Sequence, residues 1–92
     1  MSYIVVDVES DGPIPHQYSM VCFGAVVAEP SLSKTFYGKV KPISTLYDPQ
    51  ALAISGFTRA EHETFDDPKT VMENFAEWLG EHSKSRPIFI SD

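Results

Sequence analysis

The fold is decided by the stretch YIVVDVESDG, residues 3–12. Its first six residues, Tyr3 to Val8, are β-branched or aromatic around a single acid, a pattern that predicts a strand. Because the run is apolar on both of its faces, it is typical of a central strand that is covered from both sides. Gly12 and the two prolines that follow it then predict a loop.

Two more strands are predicted after this loop. Residues 20–28 form a second run that is apolar on both faces, and residues 35–41 alternate between apolar and polar positions. This alternation is typical of a half-exposed strand, with Phe36, Gly38 and Val40 on one side. Since the connections are short, we expect the three strands to form an antiparallel meander.

The segment after the third strand is predicted to be helical until a last strand. Residues 49–55, and a turn that begins at Thr58 with a capping-box glutamate three residues later, are predicted as short helices. Residues 68–83 form the strongest predicted helix, since Asp67 can cap it and apolar residues recur at three- and four-residue spacings. Residues 88–90 predict a buried strand, parallel to an earlier one because a crossover helix precedes it.

The predicted elements define an α/β fold with a mixed sheet, in which three antiparallel strands are followed by a crossover helix and a parallel strand. One helix is long enough to cover the sheet, so one apolar face is expected to stay open. We therefore expect residues 1–92 to be the N-terminal part of a single domain that is incomplete at its C-terminus. The open face is also suited to pairing with a second copy, which makes a homodimer an expectation.

Composition narrows the classes of function. The 92 residues carry 7 Lys and Arg against 13 Asp and Glu, a formal net charge of −6. This charge argues against a protein that holds nucleic acid by bulk electrostatics, whereas a nuclease that meets phosphate through metal ions needs carboxylates. A single cysteine, Cys22, cannot form an intrachain disulfide and favours a cytoplasmic location. No apolar run approaches the roughly 18 residues of a membrane span, so no membrane partner is expected.

Asp7 and Glu9 are the candidate catalytic and metal-binding residues. They lie two positions apart at the end of a strand, so their side chains share one face with backbones roughly 6.5 Å apart. Two neighbouring carboxylates repel each other, and a divalent cation such as Mg²⁺ or Mn²⁺ is the simplest compensation. Two such ions about 4 Å apart can hold the attacking and leaving oxygens of a phosphodiester. An isolated Asp-x-Glu is common, however, and also occurs where a strand simply ends.

The motifs along the chain resemble, in their order, those of the DEDD superfamily of 3′–5′ exonucleases, which have an RNase H-like fold. The first motif of that family, Asp-x-Glu followed by two small polar residues and Gly, is matched by residues 7–12. Later segments of the family are matched by FGAV at 23–26, VKP at 40–42 and LAISGFT at 52–58. The resemblance covers essentially the whole chain.

The resemblance implies a metal-dependent 3′–5′ exonuclease that hydrolyses phosphodiester bonds at single-stranded or other 3′ ends of nucleic acid. Asp7 and Glu9 would bind two Mg²⁺ or Mn²⁺ ions. Ser10, Asp11 and Gly12 would present groups to the terminal nucleotide, with Gly12 allowing close approach of a ligand. Asp11 stands where relatives usually carry Thr, and the choice between DNA and RNA is left open.

The same resemblance places the rest of the active site beyond residue 92. The second family motif supplies an Asp after the last strand, and the third supplies a His or Tyr base with a final Asp. Asp92 comes too early to be the second-motif acid and is interpreted as the end of a strand. Phe57 is expected either to line the substrate groove or to pack under a loop. The chain alone is therefore expected to be inactive.

The three histidines, His16, His62 and His82, have no metal-ligand spacing and are predicted to be solvated surface residues. Two alternative functions remain. A chain without a complete site could be a non-catalytic remnant that only binds partners or nucleic acid. An acidic cluster after an apolar strand also occurs in phosphoacceptor domains, but a helix would follow the first strand there, and phosphatases carry Asp-x-Asp.

Overall fold

The computed structural model describes residues 2–83 and 86–91, so that Asp92, interpreted above as a strand end, lies outside the described residues. The elements are β1 (Ser2–Ser10), β2 (Met20–Val27), β3 (Thr35–Lys39), α1 (Pro49–Ser55), α2 (Arg59–His62), α3 (Pro68–His82) and β4 (Pro87–Ile90). The strands form one sheet in the order β3-β2-β1-β4. Strand β2 is antiparallel to both neighbours, and β4 is parallel to β1, which confirms the predicted mixed sheet.

One face of the sheet packs against α3, and we call it the packed face. Ile4 of β1 is fully buried there, and Trp78 of α3 is 9% exposed and packs in the same core cluster. The ring of Phe75 lies 5.1 Å from that of Phe23 and 5.2 Å from that of Phe36, measured between centroids. Asp67 caps α3 as predicted, its side chain accepting from the amide of Lys69. No described helix is long and apolar enough to cross a membrane.

The opposite face of the sheet, which we call the open face, has no long helix over it within the described residues, although Leu52 of α1 packs with Cys22 at one end of it. Tyr3 and Val5 lie on this face and are 46% and 41% exposed, although β1 is a central strand. The predicted cover on both sides of β1 is therefore wrong for the described residues, because α3 supplies apolar contacts to one side alone. The predicted open apolar face is confirmed.

The segment between β3 and α3 packs over the end of β2. Helix α1 ends at Gly56, whose φ of 86° is left-handed, and the predicted capping box of α2 between Thr58 and Glu61 is present. Strand β3 ends at Lys39, two residues earlier than predicted. The chain after β3 turns toward the segment beyond α2, where the amide of Lys41 donates to the carbonyl of Asp66 at 2.8 Å.

Candidate active site

Asp7 and Glu9 lie near the end of β1, where they pair with Gly24 and Cys22 of β2. Both side chains lie on the open face, as the alternation of the strand predicts. Asp7 is exposed and Glu9 is half-buried. Neither carboxylate forms a hydrogen bond or an ion pair with another residue that the structure describes. Two free carboxylates on one face are the ligand type that a hard divalent cation prefers.

The two carboxylates line a shallow depression of about 390 Å³ on the open face. Asp7, Gly24 and Tyr37 form one row across β1, β2 and β3. Gly24 leaves the floor of the depression bare, because a Cβ there would have the carbonyl oxygen of Phe36 as its nearest contact, at 4.0 Å. The depression therefore offers room for a ligand directly beside the carboxylates.

Tyr37 lies on the side of the depression opposite the carboxylates, and its side chain is 58% exposed. A hydrogen bond with the side chain of Cys22 raises the pKa of Tyr37 to about 12, with smaller contributions from partial burial and from the negative charges of Cys22 and Glu9. The phenol therefore stays protonated at neutral pH. The alternation of residues 35–41 leaves Tyr37 on the side of the strand opposite Phe36 and Gly38, but its proximity to Glu9 follows only from the pairing of three strands.

Asp11 has a different environment from Asp7 and Glu9, since its side chain is fully buried. Its carboxylate accepts a hydrogen bond from the amide of Ser19 at 2.6 Å and one from Nη1 of Arg59 at 3.1 Å. Its own amide donates to the carbonyl of Ser19, and its carbonyl accepts from the amide of Asp48. All its polar groups thus have partners within the protein. The predicted contact of Asp11 with a nucleotide is untested, but its side chain has no exposed surface for one.

The other predicted substrate contacts, Ser10, Gly12 and Phe57, lie in three different environments. Ser10 is exposed at the end of β1, directly after a shift in the register with β2. The predicted ligand approach at Gly12 stays a prediction; in this structure the ring of Tyr18 occupies the space that a Cβ at Gly12 would need. Phe57 packs edge-to-face on Phe65 at 5.0 Å, so the structure shows the second of its two expected roles, packing under a loop.

The three histidines also differ from one another. His62 is fully buried, so the prediction of a solvated residue is wrong for it. Helix α2 is a single short turn without a periodic apolar face, and it directs this ring toward the carbonyl of Met20, 3.3 Å from Nε2. Nδ1 has no hydrogen-bond partner in the described residues and lies 3.8 Å from Oδ2 of Asp11. His16 is exposed as predicted, and His82 is half-buried.

Arg59 is the functional candidate that sequence reasoning missed. It lies 48 residues from Asp11 along the chain, and nothing in the local sequence indicates that the two side chains meet. Besides its bond to Asp11, its guanidinium donates to the carbonyl of Ser44 at 2.7 Å and lies 4.7 Å from the ring centroid of Tyr47. Nε of Arg59 also lies 3.5 Å from Oε2 of Glu63.

Residues 2–83 and 86–91 contain no group of three or more His, Cys, Asp or Glu side chains that could hold a metal ion. Asp7 and Glu9 are two ligands, whereas Mg²⁺ requires about six donors in near-octahedral geometry, of which several are commonly water. The pair therefore fits as part of a metal site, with further donors needed to complete it.

The strand order, the parallel β4 and the carboxylate pair at the end of β1 define an RNase H-like exonuclease fold. Cell-death related nuclease 4 (CRN-4) superposes with a TM-score of 0.78 at 19% identity, over 99% of this chain and 34% of that one. The metal-free form of an E. coli ExoI–ssDNA complex superposes with a TM-score of 0.76 at 16% identity, over 98% of this chain and 20% of that one. At these identities the likeness shows the fold.

A sequence relative specifies the resemblance further. The 3′-5′ DNA exonuclease Cap18 from Escherichia coli is 43% identical over 79 residues, which are 84% of this chain and 41% of Cap18. No family model matches the chain. The sequence and fold comparisons together confirm the predicted resemblance to a DEDD-superfamily 3′–5′ exonuclease. The chain spans less than half the length of this relative.

Proposed function

We propose that the chain contributes the first metal-binding motif of a 3′–5′ exonuclease that hydrolyses phosphodiester bonds at the 3′ ends of single-stranded DNA. The observation that carries this proposal is the position of Asp7 and Glu9, whose carboxylates adjoin an open depression and have no ion-pair partner within residues 2–83 and 86–91. The choice of substrate is supported by the relatives, since Cap18 is named a DNA exonuclease and ExoI was crystallised with single-stranded DNA.

In this proposal Asp7 and Glu9 are catalytic residues that hold Mg²⁺ or Mn²⁺ in a two-metal site. The bound metal would supply a nucleophilic water and positive charge at the phosphodiester. The exposed end of β1 at Ser10 would face the terminal nucleotide. Gly24 keeps the floor of the depression free of side-chain atoms beside Asp7. The phenol of Tyr37, which is hydrogen-bonded to Cys22, lies on the other side.

The remaining parts of the site would come from residues outside the 92 of this chain. Residues 1–92 would then form the N-terminal part of a single exonuclease domain, and further acids and a general base would complete the metal and proton chemistry. This division is supported by the two-ligand count at Asp7 and Glu9 and by the 41% of Cap18 that the chain matches. A cytoplasmic location and a homodimer remain predictions from Cys22 and from the open face.

A chimaera with the relative tests the proposal. The 79 matching residues of Cap18 would be replaced by those of this chain, and stepwise shortening of 5′-labelled single-stranded DNA would be measured with Mg²⁺ or Mn²⁺. We expect metal-dependent hydrolysis from the 3′ end. Asp7→Asn and Glu9→Gln should each reduce it by more than about 100-fold, since even partners of metal ligands contribute 10- to 100-fold.

The matched control is Glu73→Gln with Glu77→Gln, two exposed carboxylates on α3 that are away from the open face. This control should leave hydrolysis unchanged. Activity retained in both Asp7→Asn and Glu9→Gln would exclude the proposed role of these residues. A folded chimaera that binds DNA but never hydrolyses it would favour the alternative, a non-catalytic binding module.

A further inference from the structure

We infer that Asp11 and Arg59 are positioning residues, which fix the end of β1 and thereby the two carboxylates of the proposed metal site. This inference rests on the proposed function of Asp7 and Glu9. It assigns Asp11, two residues beyond Glu9, a role inside the protein instead of a contact with the nucleotide. The ion pair between Asp11 and Arg59 measures 3.1 Å, with side-chain exposures of 0% and 16%.

Asp11 closes the loop that follows the metal-binding strand. Its amide donates to the carbonyl of Ser19 at 2.8 Å, and its carboxylate accepts from the amide of the same residue at 2.6 Å. The loop of residues 12–18 is therefore held at both ends by one residue pair. This closure lies directly beyond the register shift between Glu9 and Ser10, where the regular pairing with β2 is interrupted.

Arg59 connects this closure to the rest of the chain. One arm of its guanidinium bonds the Asp11 carboxylate, and the other bonds the carbonyl of Ser44 at 2.7 Å. The amide of Asp48 donates to the carbonyl of Asp11, so the segment from 44 to 48 contacts Asp11 directly at Asp48 and is linked to it through Arg59 at Ser44. Three segments that are distant in sequence, namely the loop after β1, residues 44–48 and α2, are thus joined around the buried pair of Asp11 and Arg59.

The chemistry of the pair explains why both partners are needed. A buried carboxylate without a cation is strongly unfavourable, so loss of Arg59 leaves a charge that the surrounding segments must rearrange to solvate. A lysine would retain the charge but cannot bond Asp11 and Ser44 in the fixed planar geometry of a guanidinium. Metal ligands need placement to within about 0.5 Å, so a displaced strand end alters the site at Glu9.

The direction in which metal affinity changes when Arg59 is replaced distinguishes a positioning role from a simple effect of its charge. The positive charge of Arg59 opposes the approach of a cation, so its removal would strengthen metal binding if charge alone mattered. Positioning requires the opposite, because the released loop would disturb Glu9. For Arg59→Gln, the direction of the change in metal affinity is therefore as informative as its size.

The experiment is a Mn²⁺ titration of the 92-residue chain, in which paramagnetic broadening of the amide signals of Asp7, Glu9 and Gly24 reports binding. We expect Arg59→Gln to weaken the apparent affinity about 10-fold, the size typical for partners that orient metal ligands. Arg59→Lys should give a partial loss. Lys34→Gln removes a positive charge from the surface ion pair with Glu29 and serves as the matched control, with unchanged affinity expected.

The experiment gives different results depending on whether the proposed metal site or the positioning role fails. If the unmodified chain shows no broadening at Asp7 and Glu9, the proposed metal site itself is wrong. If the unmodified chain binds Mn²⁺ and Arg59→Gln binds it equally or more tightly, the positioning role is overturned and the pair is purely structural. Should Arg59→Gln fail to fold, Arg59→Lys decides, and an affinity equal to that of the unmodified chain would overturn the inference.

Discussion

The stretch from residue 7 to residue 11 holds three acids in two opposite environments. Asp7 and Glu9 lie on the open face without a hydrogen bond or ion pair to the residues that the structure describes, whereas Asp11 is fully buried and bonded to Arg59. The first two carboxylates are free to take a ligand. Asp11 instead needs a partner from a segment 48 residues away, because burial of an unpaired charge is costly. Adjacent acids in one motif thus divide into a candidate binding pair and a structural residue.

The difference between buried Asp11 and exposed Asp7 is tested most strongly by the stability of their alanine variants. Asp11→Ala should lower the free energy of unfolding by about 3–5 kcal/mol, because it leaves the guanidinium of Arg59 without its buried partner. Asp7→Ala should change it by less than about 0.5 kcal/mol, as expected for an exposed residue without partners. Urea unfolding of the two variants provides the measurement. Equal losses in both would show that the two environments do not differ in the way described.

A second prediction contrasts the two faces of the sheet through their glycines. A Cβ at Gly38, on the packed face, would lie 2.8 Å from side-chain atoms of both Phe23 and Val71, whereas one at Gly24 would have its nearest contact, the carbonyl oxygen of Phe36, at 4.0 Å. Gly38→Ala should therefore cost about 1–3 kcal/mol of stability through overpacking. Gly24→Ala should cost nothing or stabilise by about 0.5–1 kcal/mol, because glycine weakens a strand. Thermal unfolding distinguishes them.

A loss of stability in Gly24→Ala equal to that in Gly38→Ala would contradict an open face in the 92-residue chain. Such a result would indicate that a second copy covers the depression. Sedimentation of the unmodified chain at several concentrations would then show a dimer, and Gly24→Ala would weaken it.

A smaller effect is expected for Tyr37, where the open face has a titratable group. Its hydrogen bond with Cys22, aided by partial burial, raises the pKa of Tyr37 from 10.0 to about 12. Because the folded state binds this proton more tightly, the associated stability is fully present below pH 10 and is lost as the pH rises toward 12. NMR of ring-labelled tyrosine should show Tyr37 titrating with a midpoint near pH 12, and Cys22→Ala should lower this midpoint. An unchanged midpoint in Cys22→Ala would contradict the assigned cause.

Much of the fold could be predicted because its signals are local. The strand alternation placed Asp7 and Glu9 on one face, and the capping patterns at Thr58 and Asp67 located the starts of α2 and α3. These features depend on residues within a few positions of one another, where geometry is set by the strand or helix itself.

The missed features all depend on contacts between distant segments. Arg59 bonds Asp11 across 48 residues, and His62 is buried against Met20 across 42 residues. Neither short-range spacing nor composition contains these pairings. The ring of Tyr18 beside Gly12 is likewise seen only in the folded chain. The sequence therefore predicted the unpaired carboxylates better than the residues that fix their surroundings.

The most direct test of the central claim is whether a divalent ion binds at Asp7 and Glu9. Titration of the unmodified chain with Mn²⁺ should broaden the amide signals of these residues and of Gly24 first, and Asp7→Asn should abolish that local effect. Glu73→Gln, on the exposed surface of α3, should leave it intact. Broadening that is spread evenly over the acidic surface, or that persists in Asp7→Asn, would contradict the proposed site.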